Sequence, residues 1–347
     1  MSVGKGLFET DIFSSSNIQW NSLSQTNRFS SICSELLSTS YSFTVGADFK
    51  LFSFEGVEIN SKNTLVETPA GTFLLKFLGA RNTREAPILE AADKNFSERL
   101  SFLPSIVLND EGQRITESGD QRYLLYTRVG NRHFSGRPSE LAQFAENFCK
   151  FYHATSQDMG GFLTHPLLHE GATDQLTDFF NRRRKGARSK YVQMLIESRD
   201  FVERETSECL SKLSDAHFEN TMPLHIDLHP HNVTVGDDEL FFVDLASIQC
   251  TSVSRSLGFA LFKLIRQSVV GGLALDECHN VVSNTSLREL LDRVDLTNCM
   301  LKDAAKQEVL RRLFIIVNDL IMNGSSQWER VIPMHLIGLK EIDLIYE

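Results

Sequence analysis

Cysteine is scarce in this 347-residue chain, and none of its six cysteines belongs to a C-x-x-C pair. Cysteines dispersed in this way predict neither a zinc site nor a disulfide framework. Long apolar runs are also lacking, since no stretch approaches the roughly 20 residues that cross a membrane. The opening residues MSVGKGLFETDIFSSS have no apolar core, so we expect no signal peptide. Together these absences predict reduced thiols in a cytoplasmic protein.

Positive charge is in deficit. Lysine and arginine number 35 against 45 aspartates and glutamates, which gives a net charge of −10. A general nucleic-acid binder needs a basic surface, so this balance argues against one. The acidic balance is compatible with a cationic small substrate. The hydrophobic content of 41% is ordinary for a globular protein, and the length allows two lobes around a cleft.

The densest group of chemically active side chains lies in residues 224–245, which read LHIDLHPHNVTVGDDELFFVDL. A loop at the start of this stretch carries side chains that handle protons and metals: His225, Asp227, His229, His231 and Asn232. A β-branched pair, a Gly-Asp-Asp turn and an apolar run then predict a short hairpin that ends on Asp244. Because a hairpin returns the chain on itself, we expect Asp244 to lie near Asp227 and Asn232.

Two carboxylates and an amide at one place favour a particular chemistry. Their oxygens are hard ligands that suit Mg²⁺, which usually keeps some water and also binds substrate phosphates. A carboxylate that is not bound to metal can accept a proton from an attacking hydroxyl. An Asp and an Asn in one loop, followed by a hairpin and a second Asp, is also the layout of a kinase catalytic loop.

The spacing His-x-Asp-x-His-x-x-Asn at residues 225–232 resembles that of the aminoglycoside phosphotransferase and choline kinase group. These proteins are small-molecule kinases with a protein-kinase-like fold. The resemblance implies that ATP and Mg²⁺ are the cofactors and that the γ-phosphoryl group passes to a hydroxyl of a small molecule. It implies that Asp227 is the catalytic residue and that Asn232 and Asp244 hold Mg²⁺. His225 and His229 would lock the loop by hydrogen bonds.

The same resemblance implies an α+β fold with two lobes. Residues 1–40 are rich in Ser, Asn and Thr, and we expect a polar N-terminal extension with one amphipathic helix. Residues 41–127 contain β-branched and aromatic runs separated by turns, which predict a small, mainly β nucleotide-binding lobe with one helix. Residues 128–347 show helical periodicity around the catalytic loop 224–245 and predict a larger, helical lobe.

The small lobe would supply the nucleotide contacts. Lys76 lies within an apolar strand and, taken alone, also fits the solvated face of an edge strand. By resemblance it is the lysine that reaches the α- and β-phosphates, a role that suits the point charge of its ammonium. A Glu on the predicted helix 84–100 would aim this lysine. Glu90 is the first choice by position, ahead of Glu98 and Glu85.

Other nucleotide contacts follow from the resemblance as well. Tyr126 and Thr127 end a predicted strand, at the hinge where the family binds adenine through backbone groups. No glycine-rich G-x-G-x-x-G motif precedes Lys76, so Gly56 and Ser61 would have to cover the phosphates. Neither the choice between ATP and GTP nor the acceptor has a readable signal in the sequence.

Two other functions stay open. Four side chains at alternate positions would share one face of a strand and could bind a transition metal in a hydrolase: His225, Asp227, His229 and His231. Pro230 argues against an uninterrupted strand, and this interpretation gives Asn232 and Asp244 no role. The second alternative is a nucleotide-binding regulator without kinase activity. It is less favoured, because none of the expected catalytic residues has been replaced.

The match to the family weakens after Asp244. Family members often have a second Asp just beyond the metal-binding one, whereas this chain has Ala246 and Ser247. Arg255 is then left to meet an anion or to pair internally. No Ala-Pro-Glu segment follows, which favours a small-molecule kinase over a protein kinase. The basic run at 182–190 fits a solvated helix face or a contact with an anion.

Overall fold

The computed structural model describes residues 20–22, 28–42, 50–54, 63–80, 84–119, 121–155, 159–182, 189–212, 221–237 and 239–347. A small lobe is built on these strands: β1 (Trp20–Ser22), β2 (Lys50–Phe54), β3 (Asn63–Thr68), β4 (Gly71–Ala80), β5 (Ile106–Val107), β6 (Thr116–Ser118) and β7 (Gln121–Thr127). They pair antiparallel in the order β1-β2-β3-β4-β7-β5, and β6 also pairs with β7.

Two helices lie on opposite faces of this sheet. They are α1 (Arg28–Ser40) and α2 (Glu85–Ala92), and α2 continues as a π-helical turn over Asp93–Ser97. Because successive strand residues point to opposite faces, Leu75 and Leu125 pack with α1, whereas Leu124 and Tyr126 pack with α2. Lys76 lies opposite Leu124 across the sheet and shares its face. The strand therefore directs Lys76 away from α1 and towards the cleft between the lobes.

Part of the predicted polar extension belongs to the small lobe. Strand β1 pairs with β2, with Trp20 opposite Phe54. Helix α1 is the expected amphipathic helix, and it buries Cys33, Leu36 and Leu37 in the core that it shares with the sheet. These residues are therefore structural parts of the small lobe.

The larger lobe contains the helices α3 (Pro138–Ala154), α4 (Ala172–Arg182), α5 (Lys190–Glu197), α6 (Arg199–Ser211), α7 (Val253–Val270), α8 (Leu275–Ser283), α9 (Ser286–Arg293), α10 (Asn298–Asn323) and α11 (Ile332–Ile345). Its short strands are β8 (Arg132–His133), β9 (Met222–His225), β10 (Val233–Val235), β11 (Leu240–Phe242) and β12 (Ile248–Thr251). Strands β10 and β11 form the predicted hairpin, and β9 pairs with β12. None of the helices in the described ranges combines the length and apolar character needed to cross a bilayer.

Helix α7 is the centre of the larger lobe. Every residue from 253 to 268 is buried, including several polar ones. Gly258 lets α10 approach closely, since a Cβ there would lie 2.5 Å from the carbonyl oxygen of Leu301. This close packing places α10 beside the loop that carries Asp227, and Arg312 of α10 contacts that residue.

Candidate active site

The loop between β9 and β10 is held in a tight conformation by its own hydrogen bonds. Nε2 of His225 donates to the carbonyl oxygen of Val243 at 2.8 Å, while Nδ1 accepts from the Asp227 N–H at 3.2 Å. Burial lowers the pKa of His225, so the ring is neutral and carries its proton on Nε2. The N–H of Asn232 donates to the carbonyl oxygen of His229 at 2.8 Å. Both nitrogens of His225 thus fix the backbone around Asp227.

The Asp227 carboxylate is oriented by two neighbours. Its Oδ1 lies 2.9 Å from Nη1 of Arg312, and its Oδ2 lies 3.7 Å from Nε2 of His229. Burial raises the pKa of Asp227, but the neighbouring groups, of which the Arg312 guanidinium contributes most, together hold that pKa below its usual value. Burial lowers the pKa of His229 to about 4, and its Nδ1 accepts from the His231 N–H. A neutral imidazole N–H therefore faces Oδ2, and the Asp227 carboxylate is ionised.

Asn232 and Asp244 present oxygen atoms at the two ends of the hairpin. Nδ2 of Asn232 donates to the carbonyl oxygen of Asp227 at 2.9 Å, which leaves Oδ1 as the remaining acceptor. Asp244 has a left-handed backbone with φ of 60°, a conformation rare for residues other than glycine and found mainly at special sites. Its Oδ2 accepts from the Ser247 hydroxyl at 2.7 Å, and its Oδ1 lies 3.1 Å from Nζ of Lys76.

The side-chain oxygen atoms of Asn232 and Asp244 are suitable ligands for a divalent cation. Burial raises the pKa of Asp244, but the Lys76 ammonium and the hydrogen bond from Ser247 are the main groups that together more than offset burial and keep the carboxyl ionised. An ionised carboxylate and an amide oxygen are the hard ligands that Mg²⁺ prefers. The hydrogen bond from Val243 N–H to the Asn232 carbonyl, at 2.9 Å, ties the two residues' segments together.

The glutamate beside Lys76 is Glu85, and the first choice of Glu90 was wrong. Oε2 of Glu85 lies 3.8 Å from Nζ of Lys76, whereas Glu90 is exposed and lines a polar groove elsewhere on the small lobe. Glu85 begins α2, next to the end of β4. Five residues further on, Glu90 is turned by about 140° around the helix. Glu98 is exposed and follows the π-helical turn.

We expect the two glutamates to differ on substitution. If Lys76 binds the phosphates of ATP, as the sequence predicts, replacing Glu85 by Gln should raise KM for ATP by about two- to fivefold, because an exposed pair contributes about 0.2–1 kcal/mol. The Glu85 side chain is 47% exposed and its contact with Lys76 is long, so a larger effect is not expected. Glu90→Gln serves as the matched control and should leave KM unchanged in the same steady-state assay. A larger effect from Glu90 than from Glu85 would contradict this assignment.

The hinge after β7 is already engaged in internal hydrogen bonds. The Thr127 N–H donates to the carbonyl oxygen of Ser105 at 2.9 Å, and the Thr127 hydroxyl accepts from the Ser105 N–H at 3.0 Å. That amide is therefore not available to an adenine ring, which would need other backbone groups of the hinge. Gly130 follows with φ of +69°, and a Cβ there would lie 2.7 Å from the Cβ of Thr234. Only glycine fits this close approach of the hinge to the hairpin.

Tyr126 faces the cleft side of the sheet but is 5% exposed. Its hydroxyl makes no hydrogen bond within the described part of the chain. Burial raises the pKa of Tyr126, opposed by the nearby Lys76 ammonium. Tyr126 therefore lies on the same face of the sheet as Lys76. Its role towards a nucleotide remains a prediction.

Two predicted features fall on residues that the structure does not describe. Gly56 and Ser61, the expected phosphate cover, lie outside the described residues, as do residues 183–188 of the basic run. At the edge of that run, Arg182 pairs with Asp178 at 2.7 Å on the surface.

The histidine cluster does not form a metal site. Across the described residues, no group of three His, Cys, Asp or Glu side chains is placed to hold a metal ion. Both nitrogens of His225 are engaged within the loop, and the ring of His231 stacks on that of His133 with centroids 4.6 Å apart. The geometry therefore disfavours the hydrolase interpretation.

Sequence reasoning missed Arg312 and the buried carboxylate behind it. Glu308 accepts hydrogen bonds from Arg312 at 2.8 Å, from Arg311 at 2.7 Å and from His165 at 2.8 Å. Arg255 pairs internally, donating to the carbonyl oxygens of His165 and Pro166 and lying 3.7 Å from Glu308. The Glu308–Arg312 spacing of four residues signals a helix pair. Nothing in the sequence shows that this pair reaches Asp227.

Comparison with solved structures identifies the fold. A spectinomycin phosphotransferase matches with a TM-score of 0.67 and 11% identity, over 91% of this chain and 97% of that one. An amicoumacin kinase matches with a TM-score of 0.59 and 13% identity, over 91% and 93%. An ethanolamine kinase of Plasmodium vivax matches with a TM-score of 0.53 and 12% identity, over 96% and 92%. No protein-family model and no curated protein sequence matches the chain. These likenesses confirm the expected protein-kinase-like fold, which small-molecule phosphotransferases share.

Proposed function

We propose that this protein is a phosphotransferase that moves the γ-phosphoryl group of ATP to a hydroxyl group of a small molecule. The observation that carries the proposal is the 3.1 Å contact between Lys76 and Asp244, which joins the small lobe to the catalytic loop. In this proposal Lys76 supplies a cation for the phosphates, Asn232 and Asp244 supply oxygen ligands for Mg²⁺, and Asp227 supplies the base. The spectinomycin phosphotransferase of the same fold is bound to ADP and spectinomycin, which supports this use of the cleft.

Each residue has a role that its surroundings support. Asn232 and Asp244 would hold Mg²⁺, which when bound offsets the negative charge of the phosphates. Lys76 places its ammonium against the α- and β-phosphates. Because Arg312 holds Oδ1 of Asp227, Oδ2 is the atom that orients the acceptor hydroxyl and later takes its proton. Phosphoryl transfer depends mainly on such positioning and charge stabilisation.

The bonds exchange at the γ-phosphorus atom. The acceptor oxygen forms a bond to this atom while the bond to the β–γ bridging oxygen breaks. ADP leaves with that electron pair, and Asp227 holds the proton of the acceptor hydroxyl. Arg312 keeps its charge throughout, since a guanidinium does not deprotonate in proteins.

The test is the melting temperature of the purified chain with four additions: ATP plus Mg²⁺, GTP plus Mg²⁺, ATP plus chelator, and Zn²⁺ alone. A ligand that binds only the folded state adds about 2.7 kcal/mol of stability at one hundred times its dissociation constant. We expect a rise that needs both nucleotide and Mg²⁺. A response to Zn²⁺ without any response to nucleotide would favour the hydrolase instead.

A further inference from the structure

Two basic side chains inside the larger lobe have no anionic partner among the described residues. Lys263 on α7 is 3% exposed, and its ammonium lies 5.5 and 4.8 Å from the ring centroids of Phe259 and Phe262. His335 on α11 is 5% exposed, and its Nδ1 makes no hydrogen bond within the described ranges. Lysine is rarely buried without a carboxylate, so this pair requires an explanation.

Lys263 lies near the catalytic base, and His335 lies close to Lys263: burial lowers the pKa of His335, and the charges of Lys263 and Arg312 add to that effect. The guanidinium of Arg312 lies 4.2 Å from the centroid of Phe259, the same ring that Lys263 contacts. Arg312 in turn holds Asp227 at 2.9 Å, and the side chains of Arg312 and Asp227 are 22% and 23% exposed. The cleft therefore reaches Arg312, and Lys263 lies one aromatic ring deeper.

The nearby carboxylates each pair with another cation, although Oε1 of Glu341 makes no hydrogen bond within the described residues. Glu341 of α11 pairs with Arg266 at 2.6 Å, and Glu308 binds Arg311 and Arg312. Asp227 is held by Arg312. Positive groups thus exceed negative ones around Phe259, although the whole chain carries a net charge of −10.

This arrangement is electrostatically incomplete. Contacts with aromatic faces recover only part of what an ammonium loses when it leaves water. Burial, reinforced by the charge of Arg312, lowers the pKa of Lys263 to about 7. An anion beside Lys263 would restore its full charge and supply the missing partner.

We propose that Lys263 and His335 form a subsite for an anionic group of the acceptor, a carboxylate or a phosphate. The inference rests on the proposed function, and it makes the substrate a hydroxy acid or a phosphorylated alcohol whose hydroxyl lies at Asp227. Ethanolamine, which gives one structural neighbour its name, carries an amine and would present the opposite charge to this cluster.

The experiment uses the full chain saturated with MgADP, so that no turnover occurs. Its melting temperature is measured at constant ionic strength with four small hydroxylated probes: glycerate, glycerol 3-phosphate, glycerol and 2-amino-1,3-propanediol. We expect a concentration-dependent rise with one or both anionic probes and none with the amine. Tighter binding of glycerate would indicate a carboxylate subsite, and tighter binding of glycerol 3-phosphate would indicate a phosphate subsite.

Variants assign the effect to the subsite. Lys263→Met should weaken binding of the anionic probe at least tenfold. Lys150→Met replaces an exposed lysine of α3 and should bind the probe as wild type does. Lys263→Met removes a buried charge and should fold at least as stably as wild type. If it does not fold, His335→Gln provides the same comparison, with a smaller expected loss.

Three outcomes overturn the inference: equal binding by wild type and Lys263→Met, preference for the amine, or no response to either anion while MgADP still stabilises the chain. Loss of the MgADP response itself would instead count against the proposed function. The two failures are therefore distinguishable within one set of measurements.

Discussion

Replacing Asp227 by Asn should lower kcat by about 10²–10⁴-fold, the range that a positioned acid or base contributes. Asn keeps the size and most of the hydrogen bonds of the carboxylate but does not take a proton. Binding of MgADP should change little, because Asp227 faces His229 and Arg312 and makes no contact with Lys76. ADP release measures the effect, with water as the acceptor until a better one is found. Unchanged turnover would remove Asp227 from the mechanism.

The pH profile provides an independent check of the same base. Arg312 holds the pKa of Asp227 below its usual value, so the wild-type base stays ionised until the solution is distinctly acidic. In Arg312→Gln, burial still raises that pKa while the opposing guanidinium is gone. The acid limb of kcat/KM should therefore move to higher pH by about one unit or more, since a charge at this distance shifts an Asp by about 1–3 units. An unmoved acid limb would show that another group titrates.

The larger features of the fold were predictable because they depend on local patterns. The hairpin at 233–242 follows from β-branched residues around a Gly-Asp-Asp turn, and its register places Val233 opposite Phe242. The N-terminal extension was harder to interpret. Its polar composition hides three apolar positions, Cys33, Leu36 and Leu37, which suffice to bury one face of α1. Only the sheet to which this face docks, formed by residues distant in sequence, shows that it belongs to the lobe.

In the candidate site, too, some features follow from local sequence and others depend on tertiary packing. Asp227, Asn232 and Asp244 lie within 18 residues of one another, so a hairpin is enough to predict that they converge. The partner of Lys76 depends on where α2 starts relative to β4, and a helix that begins at Glu85 directs Glu90 elsewhere. Arg312 follows Asp227 by 85 positions in the chain and reaches it because Gly258 lets α10 pack closely on α7. Contacts of this kind depend on tertiary packing, which a single sequence does not display.

Asp244→Asn should weaken MgADP binding by at least about 100-fold. Loss of groups that merely support a metal ligand already costs about 10–100-fold in affinity, and Asp244 is proposed as a direct ligand. Asn is the appropriate replacement, because Asn and Asp tolerate the left-handed backbone that residue 244 adopts with φ of 60°. The substitution also removes the anion 3.1 Å from Lys76, and among the described residues the ion pair that then remains for Lys76 is the longer contact with Glu85. Calorimetric titration with MgADP, and with ADP plus chelator, measures both effects.

Asp237→Asn is the matched control, since Asp237 is an exposed residue in the turn of the same hairpin. It removes the same charge from the chain and should leave MgADP affinity within about twofold of wild type, because interactions of solvent-exposed charges are largely screened by salt. If Asp244→Asn bound MgADP as tightly as this control, the cation ligands would lie elsewhere. Substitutions of Asp227 and Asp244 therefore separate nucleotide binding from phosphoryl transfer. Loss of the Asp227 carboxylate should spare binding and stop transfer, whereas loss of the Asp244 carboxylate should remove the bound nucleotide on which transfer depends.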